Sequence, residues 1–381
     1  MPVYLDHNAT TPPGPEVVEA MTAALRGVFG NASSVHRPGQ QARTAVDDAR
    51  AAVAALVGAE PVEVVFTSGG TESDNFALRG VADALSPPGR KHLVVSAIEH
   101  EAVLHTARAL QKRGWDLTVV PVDASGVVPV AAVCAAVRTD TALVSVMHAN
   151  NEIGTIQPIA EIAAAAHERG ALVHTDAVQT VGKIPVDVGA LGVDLLSLTG
   201  HKFHGPKGAG ALWVKRGVRL APLLTGGRQE RNRRAGTENV PAIVGLGAAA
   251  RVAIEKLATE APRQAALRDR LERGVLDRVP HTSAHGATAA RVPNTTNISF
   301  DGVEAEALLI ALDLEDIAVS TGSACSSGTL EPSHVLRAMG LSAHRVQSSL
   351  RFSLGQGTTD ADIDRVLDVL PRLVERLRKL R

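Results

Sequence analysis

The sequence predicts an α/β fold built on a mostly parallel sheet covered by helices on both faces. Two observations carry that expectation. Short, almost uninterrupted apolar runs recur through the first two thirds of the 381-residue chain, and most of the gaps between them have helical periodicity. Strands buried on both faces read as continuous apolar runs, and parallel neighbours need a helical crossover. A third observation locates a site: polar, glycine-bearing turns follow directly on several of these runs, which is where ligands collect in such sheets.

Taken in order, the chain opens in an extended segment, since Pro12, Pro13 and Pro15 delay the first helix. Seven strands are expected over 62–67, 92–97, 117–122, 143–148, 172–176, 195–199 and 211–214, where short apolar, β-branched runs stand. Helices are expected over 72–84, 101–113, 130–137 and 159–169. After about residue 258 the pattern changes. A charged amphipathic helix over 263–279 precedes an exposed polar stretch at 281–290, a strand at 296–300 and a helix at 303–312. Short strands at 317–320 and 350–354 and a terminal helix from Thr359 complete a smaller α+β domain.

Composition narrows the function. Lys+Arg is 39 and Asp+Glu is 40, giving net charge −1 and pI ≈ 6.9, which argues against a protein built to neutralise nucleic-acid phosphates or an anionic membrane. With 2 Trp, 1 Tyr and 6 Phe there is little to build a base-stacking platform. Two cysteines exclude a disulfide scaffold and suit a reducing, cytoplasmic setting. Residues 1–6 lack the basic and apolar pattern of an export signal, and no apolar run reaches the ~18 residues of a membrane span.

The polar residues fall where the sheet rule puts them. Leu198-Thr199-Gly200-His201-Lys202 runs a buried strand into a turn, and Lys202 stands out because there are only 8 lysines against 31 arginines. Amine chemistry needs lysine, since arginine is not deprotonated; a solvated turn lysine is the alternative, which suits Lys207 better. His174-Thr175-Asp176 ends another strand, where Asp176 either faces a protonated heterocycle or caps a helix. Ser68-Gly69-Gly70-Thr71 has the strand, turn and helix order that presents backbone N–H groups to phosphate, without the Walker pattern. His100 is either an acid/base and ring-stacking group or a satisfied polar residue, and Asn150-Asn151-Glu152 is unremarkable alone. Arg351, a charge inside a strand, either grips a carboxylate or forms a structural ion pair. Cys134 lies in an apolar helix and is expected to be buried, whereas Cys325 lies in a loop of small residues where a thiolate can act as a nucleophile. A zinc site built from His174, Asp176, His201 and His204 would lack a recognised ligand spacing, so no metal site is expected.

Together the stretches 4–12, 68–75, 99–100, 150–154, 176–179, 199–208, 234–237 and 323–340 resemble the NifS/IscS cysteine desulfurases, of the class-V aminotransferase group of pyridoxal-phosphate enzymes. The resemblance spans essentially the whole chain. It implies the aspartate-aminotransferase fold (fold type I), with a large domain over 15–258 and a small domain made of 1–14 and 259–381 that carries the cysteine loop. It implies that Lys202 holds the cofactor covalently, Asp176 pairs with the pyridine nitrogen, and Gln179 and Asn151 face the 3′-oxygen. Gly70, Thr71, Thr199 and His201 are implied to bind the phosphate, with Thr237 reaching the phosphate of the neighbouring subunit of a homodimer. His100 stacks on the ring and carries protons, Arg351 holds the substrate carboxylate with Asn151 and Asn8 near the substrate, and Cys325 accepts sulfur. The implied reaction converts L-cysteine to L-alanine and passes sulfur to an iron–sulfur scaffold or another acceptor protein, with Cys325 a possible transient cluster ligand beside such a partner. No direct nucleic-acid or membrane partner is implied.

Overall fold

The computed structural model describes residues 2–84, 89–322 and 332–380. Its centre is a seven-stranded sheet made of β2 (Val64–Thr67), β3 (His92–Ser96), β4 (Asp116–Val120), β5 (Thr141–Ser145), β6 (Leu172–Asp176), β7 (Leu195–Thr199) and β8 (Gly210–Val214), after a short β1 (Val3–Tyr4) that lies elsewhere. The spatial order is β2-β8-β7-β6-β5-β3-β4, parallel except that β8 runs against both β2 and β7. This is the mostly parallel sheet expected from the apolar runs, with β6 and β7 at the expected bounds and the other strand ends shifted by at most three residues.

Side chains alternate across this sheet with the period of two that strand geometry imposes. Val64, Phe66, Val94, Val144, Leu196, Leu198 and Ala211 face one apolar layer, shared with helices Arg37–Leu56 and Ile159–His167. Val65, Leu93, Val95, Leu195 and Leu212 face the other, against Phe76, Leu78 and Val81 of helix Gly70–Ala84 and Val103 and Leu110 of helix Glu101–Lys112. Both faces are therefore dry, which is why the strands read as continuous apolar runs. Cys134 corrects an expectation: it is exposed, because helix Val130–Ala136 buries only Val133 among its residues.

A second apolar cluster sits around an antiparallel sheet of β9 (Thr282–His285), β10 (Thr295–Phe300) and β12 (Ser349–Ser353), in the order β12-β10-β9. Ile298, Phe300, Leu350 and Phe352 pack there against Leu308 and the terminal helix Asp360–Lys379, through Ile363, Val366 and Leu370. β1 joins it from the other end of the chain, pairing in parallel with β11 (Ile317–Ala318), while Asp6 bridges to Ser353. β9 occupies part of the stretch expected to be merely exposed and polar. One helix, Val240–Arg278, serves both clusters: Ile243, Leu246 and Ala250 pack on the large sheet's layer and Leu267, Leu271 and Val275 on the small one. It runs through Pro262 without ending, whereas the expected helix began at residue 263. An interior proline costs roughly 3 kcal/mol, and burial of both halves against separate cores offsets that.

Candidate active site

Loops that leave the carboxyl ends of β2, β3, β5, β6 and β7 meet the N-terminal segment around a cavity of ≈ 280 Å³. β7 ends at Thr199 and turns through Gly200–Lys202, where the Gly205 N–H closes back on the Gly200 carbonyl at 2.9 Å. This tight return aims Lys202 at the N-terminal segment, and its Nζ donates to the carbonyls of Asn8 (2.6 Å) and Ala9 (2.8 Å). Burial pushes the Lys202 amine down to about 8, helped by the Arg351 charge and opposed by Asp176 and Asp6. An amine of that kind is a nucleophile near neutral pH.

Asp176 ends β6, is 4% exposed, and accepts from the Val178 N–H at 2.9 Å. Burial raises its carboxyl, while His100 and Lys202 draw it back down. A cationic heterocyclic nitrogen in the cavity fits this acid. His100 caps helix Glu101–Lys112, its Nδ1 accepting from the Ala102 N–H at 3.1 Å. In the neutral ring this places the proton on Nε2. Burial lowers His100, with Asp176 opposing.

Gly70 begins helix Gly70–Ala84, and a Cβ there would lie 2.8 Å from Val178 Cγ2, so the backbone of this turn approaches the cavity as only glycine allows. Thr71, Thr199 and His201 line the same end. Free N–H groups at a helix start, two hydroxyls and an imidazole form a donor set suited to a phosphate. His201 is itself held neutral, pushed down to about 4 by burial and by Lys202.

Arg351 of β12, 2% exposed, donates to the Asn151 carbonyl (3.0 Å) and to Asp6 Oδ1 (2.6 Å), and its Nε has no partner. Both readings of Arg351 from sequence thus meet in one place: it is ion-paired, and it faces the cavity. Asn8 joins the elements. Its Nδ2 donates to Thr295 Oγ1 (2.8 Å) and the Asn151 carbonyl (3.1 Å), and its own carbonyl accepts from Gln179 Nε2 at 3.1 Å as well as from Lys202.

Asn8, Gly70, Thr71, His100, Asn151, Asp176, Gln179, Thr199, His201, Lys202 and Arg351 all line this one cavity. Thr237 does not; it is exposed and lines a separate cavity of ≈ 220 Å³ with Ser68, Gly208 and Arg234. Cys325 lies outside the described residues. The sequence reading missed Asp74 and Met147, which also line the site, and Asp6 and Lys183, which contact its residues. Asp74 sits in the quoted phosphate-turn stretch, three residues after Thr71, so helical spacing was its one available signal. Among the described residues no three His, Cys, Asp or Glu side chains converge as metal ligands; His174 instead bonds Ser145 and Ser197.

Comparison with known proteins identifies the family. The model of the class-V aminotransferase family matches residues 3–366. Cysteine desulfurase IscS of Dictyoglomus turgidum is 51% identical over 99% of this chain and 96% of that protein. Cysteine desulfurase IscS of Methanosarcina thermophila is 50% identical over 99% and 93%. A solved NifS-like protein superposes with a TM-score of 0.92 at 38% identity, covering 99% of this chain and 100% of that one. The structure of SspA in complex with cysteine does so with a TM-score of 0.82 at 37% identity, covering 94% and 100%. The chain is a member of the class-V aminotransferase family and, within it, of the NifS/IscS cysteine desulfurases.

Proposed function

We propose that this protein is a pyridoxal-phosphate-dependent cysteine desulfurase that converts L-cysteine to L-alanine and leaves the sulfur as a persulfide on Cys325. The observation that carries the reading is Lys202, a half-buried amine held by the Asn8 and Ala9 carbonyls in a cavity it shares with Asp176 and Arg351. The residues fit the cofactor: an amine for its aldehyde, a buried carboxylate for its pyridinium, and a helix start with Thr71, Thr199 and His201 for its phosphate. When bound, the cofactor supplies an electron sink for the carbanion formed at the substrate Cα.

The chain's own groups do the rest. Asp176 keeps the ring nitrogen protonated, because an anion in a dry site holds a neighbouring cation. Arg351 orients the substrate through its carboxylate, with Asn8 and Asn151 beside it. His100, with its proton on Nε2, carries protons at the reacting atoms. The Cys325 thiolate attacks the substrate sulfur: the substrate C–S bond breaks, an S–S bond forms, and the carbon takes up a proton to become the alanine methyl. Cysteine and thiol thus become alanine and persulfide with no outside oxidant or reductant.

We also propose that the enzyme works as a cytoplasmic homodimer in which Thr237 reaches the phosphate of the neighbouring subunit. The exposure of Thr237 and its place outside the Lys202 cavity support this. The persulfide is then handed to an iron–sulfur scaffold or another protein acceptor. Among the described residues no helix is long and apolar enough to cross a membrane.

The deciding experiment is a visible spectrum of the purified protein before and after L-cysteine, with alanine measured on the same sample. A cofactor band that L-cysteine perturbs, together with alanine release, is expected. A colourless protein that does not take up pyridoxal phosphate would refute the assignment.

A further inference from the structure

Behind the cavity lies a second lysine. Lys183 is 8% exposed, yet its Nζ donates to two amide oxygens, Gln179 Oε1 at 2.7 Å and Asn8 Oδ1 at 2.8 Å. Among the described residues no carboxylate pairs with it, although a buried amine is ordinarily satisfied in that way.

The direction of these bonds follows from the carbonyls around them. Asn8 Nδ2 is committed to the Asn151 carbonyl, which only accepts, so Asn8 Oδ1 must face Lys183 and Asn294 Nδ2. Gln179 Nε2 is likewise committed to the Asn8 carbonyl, so Gln179 Oε1 must face Lys183. Lys183 therefore donates to both oxygens whether it is ammonium or amine. Burial, with Lys202 and Arg351 nearby, pushes its pKa well below the usual lysine range. The Gln179 amide lines the cavity and has a second N–H free of these bonds.

We infer that Lys183 is a positioning residue: by holding the Gln179 and Asn8 amide oxygens it turns the Gln179 NH₂ group, and not its oxygen, toward the 3′-oxygen of the cofactor. This rests on the proposed placement of Gln179 against that oxygen. Without Lys183, Gln179 Oε1 is a buried acceptor with no donor, and only the bond to the Asn8 carbonyl still fixes the amide, so its NH₂ group is held less firmly against the 3′-oxygen. The 3′-oxygen then has a weaker donor, keeps more negative charge, and holds the neighbouring imine proton more tightly.

The test is a pH titration of the visible absorption of the cofactor-loaded protein, run on wild type, Lys183→Met, Gln179→Leu and the double variant. Gln179→Leu is expected to move the midpoint up. Lys183→Met is expected to move it in the same direction by about one pH unit, and to add little in the Gln179→Leu background. A midpoint unmoved by Gln179→Leu sinks the placement of Gln179 against the cofactor. A Gln179→Leu shift with no Lys183→Met shift, or a Lys183→Met shift equally large without Gln179, overturns the role of Lys183. Lys183→Leu, which likewise offers no donor, carries the same comparison if Lys183→Met does not fold.

Discussion

Arg351 and Asp6 form a 2.6 Å ion pair between the strand β12 and the N-terminal segment, at the edge of the cavity that holds Lys202. A substrate carboxylate at Arg351 must share or displace Asp6. Arg351→Ala is expected to raise KM for L-cysteine by about 10–100-fold, the range of a lost charge-assisted hydrogen bond, while pyridoxal phosphate still binds. Steady-state kinetics with cofactor content measured alongside checks this, and an unchanged KM removes Arg351 from the substrate site.

The amine of Lys202 gives a pH dependence whose sign is fixed. Its pKa is depressed to about 8, so the reactive free amine accumulates as pH rises toward 8 and is saturated above it. Capture of pyridoxal phosphate by the apoprotein should accelerate about tenfold per pH unit below that point and then level off. Stopped-flow absorbance reads the profile. A rate still climbing at pH 10 would mean an ordinary, solvated lysine. Asp6→Asn removes a charge that raises this pKa, so its plateau should begin at lower pH.

His100 has two separable tasks. As the cap of helix Glu101–Lys112 it accepts from Ala102, and as a cavity group it is proposed to carry protons. His100→Asn keeps a capping acceptor and loses the imidazole, so alanine formation should fall by about 10²–10⁴-fold with little change in melting temperature. His100→Ala should show the same loss of rate and a further ~1 kcal/mol of destabilisation. Equal stabilities for the two variants would argue against the cap.

Cys325→Ser separates sulfur acceptance from cofactor binding. The variant should keep its visible band and its spectral response to L-cysteine, yet produce neither alanine nor sulfide over many turnovers. Full turnover would remove Cys325 from the reaction.

The segment bearing Thr237 is tied to the sheet by a buried bidentate pair, Arg50 with Glu230 at 2.6 and 2.7 Å, and Glu230 also accepts from the Phe66 N–H. Glu230→Ala leaves a buried guanidinium with only the exposed Asp47 at 3.9 Å as counter-charge and should cost about 3–5 kcal/mol in urea denaturation. Replacing both members by apolar residues should cost less than either single change.

Much of this was legible from the residues. Strands buried on two faces announce themselves, and the polar groups at their carboxyl ends, Asp176, Thr199 and Lys202, converge because the sheet is parallel. What stayed hidden was polar and buried. Lys183 and Asp74 look like ordinary surface residues, because periodicity treats a charge as exposed; only the contacts of Asn8 and the cavity wall reveal them. The continuity of helix Val240–Arg278 through Pro262 was hidden for the opposite reason, since two tertiary cores override a local breaking signal. Cys134 misled because an apolar heptapeptide can lie flat on a surface with one side chain buried.

The bridge from Asp6 to Ser353 and the grip of Arg351 on Asp6 bring together residues about 345 positions apart. A chain emerging from the ribosome can lay down the whole central sheet while still lacking β12. Competence for substrate thus waits on β12, which closes the pocket that the segment around Asp6 began.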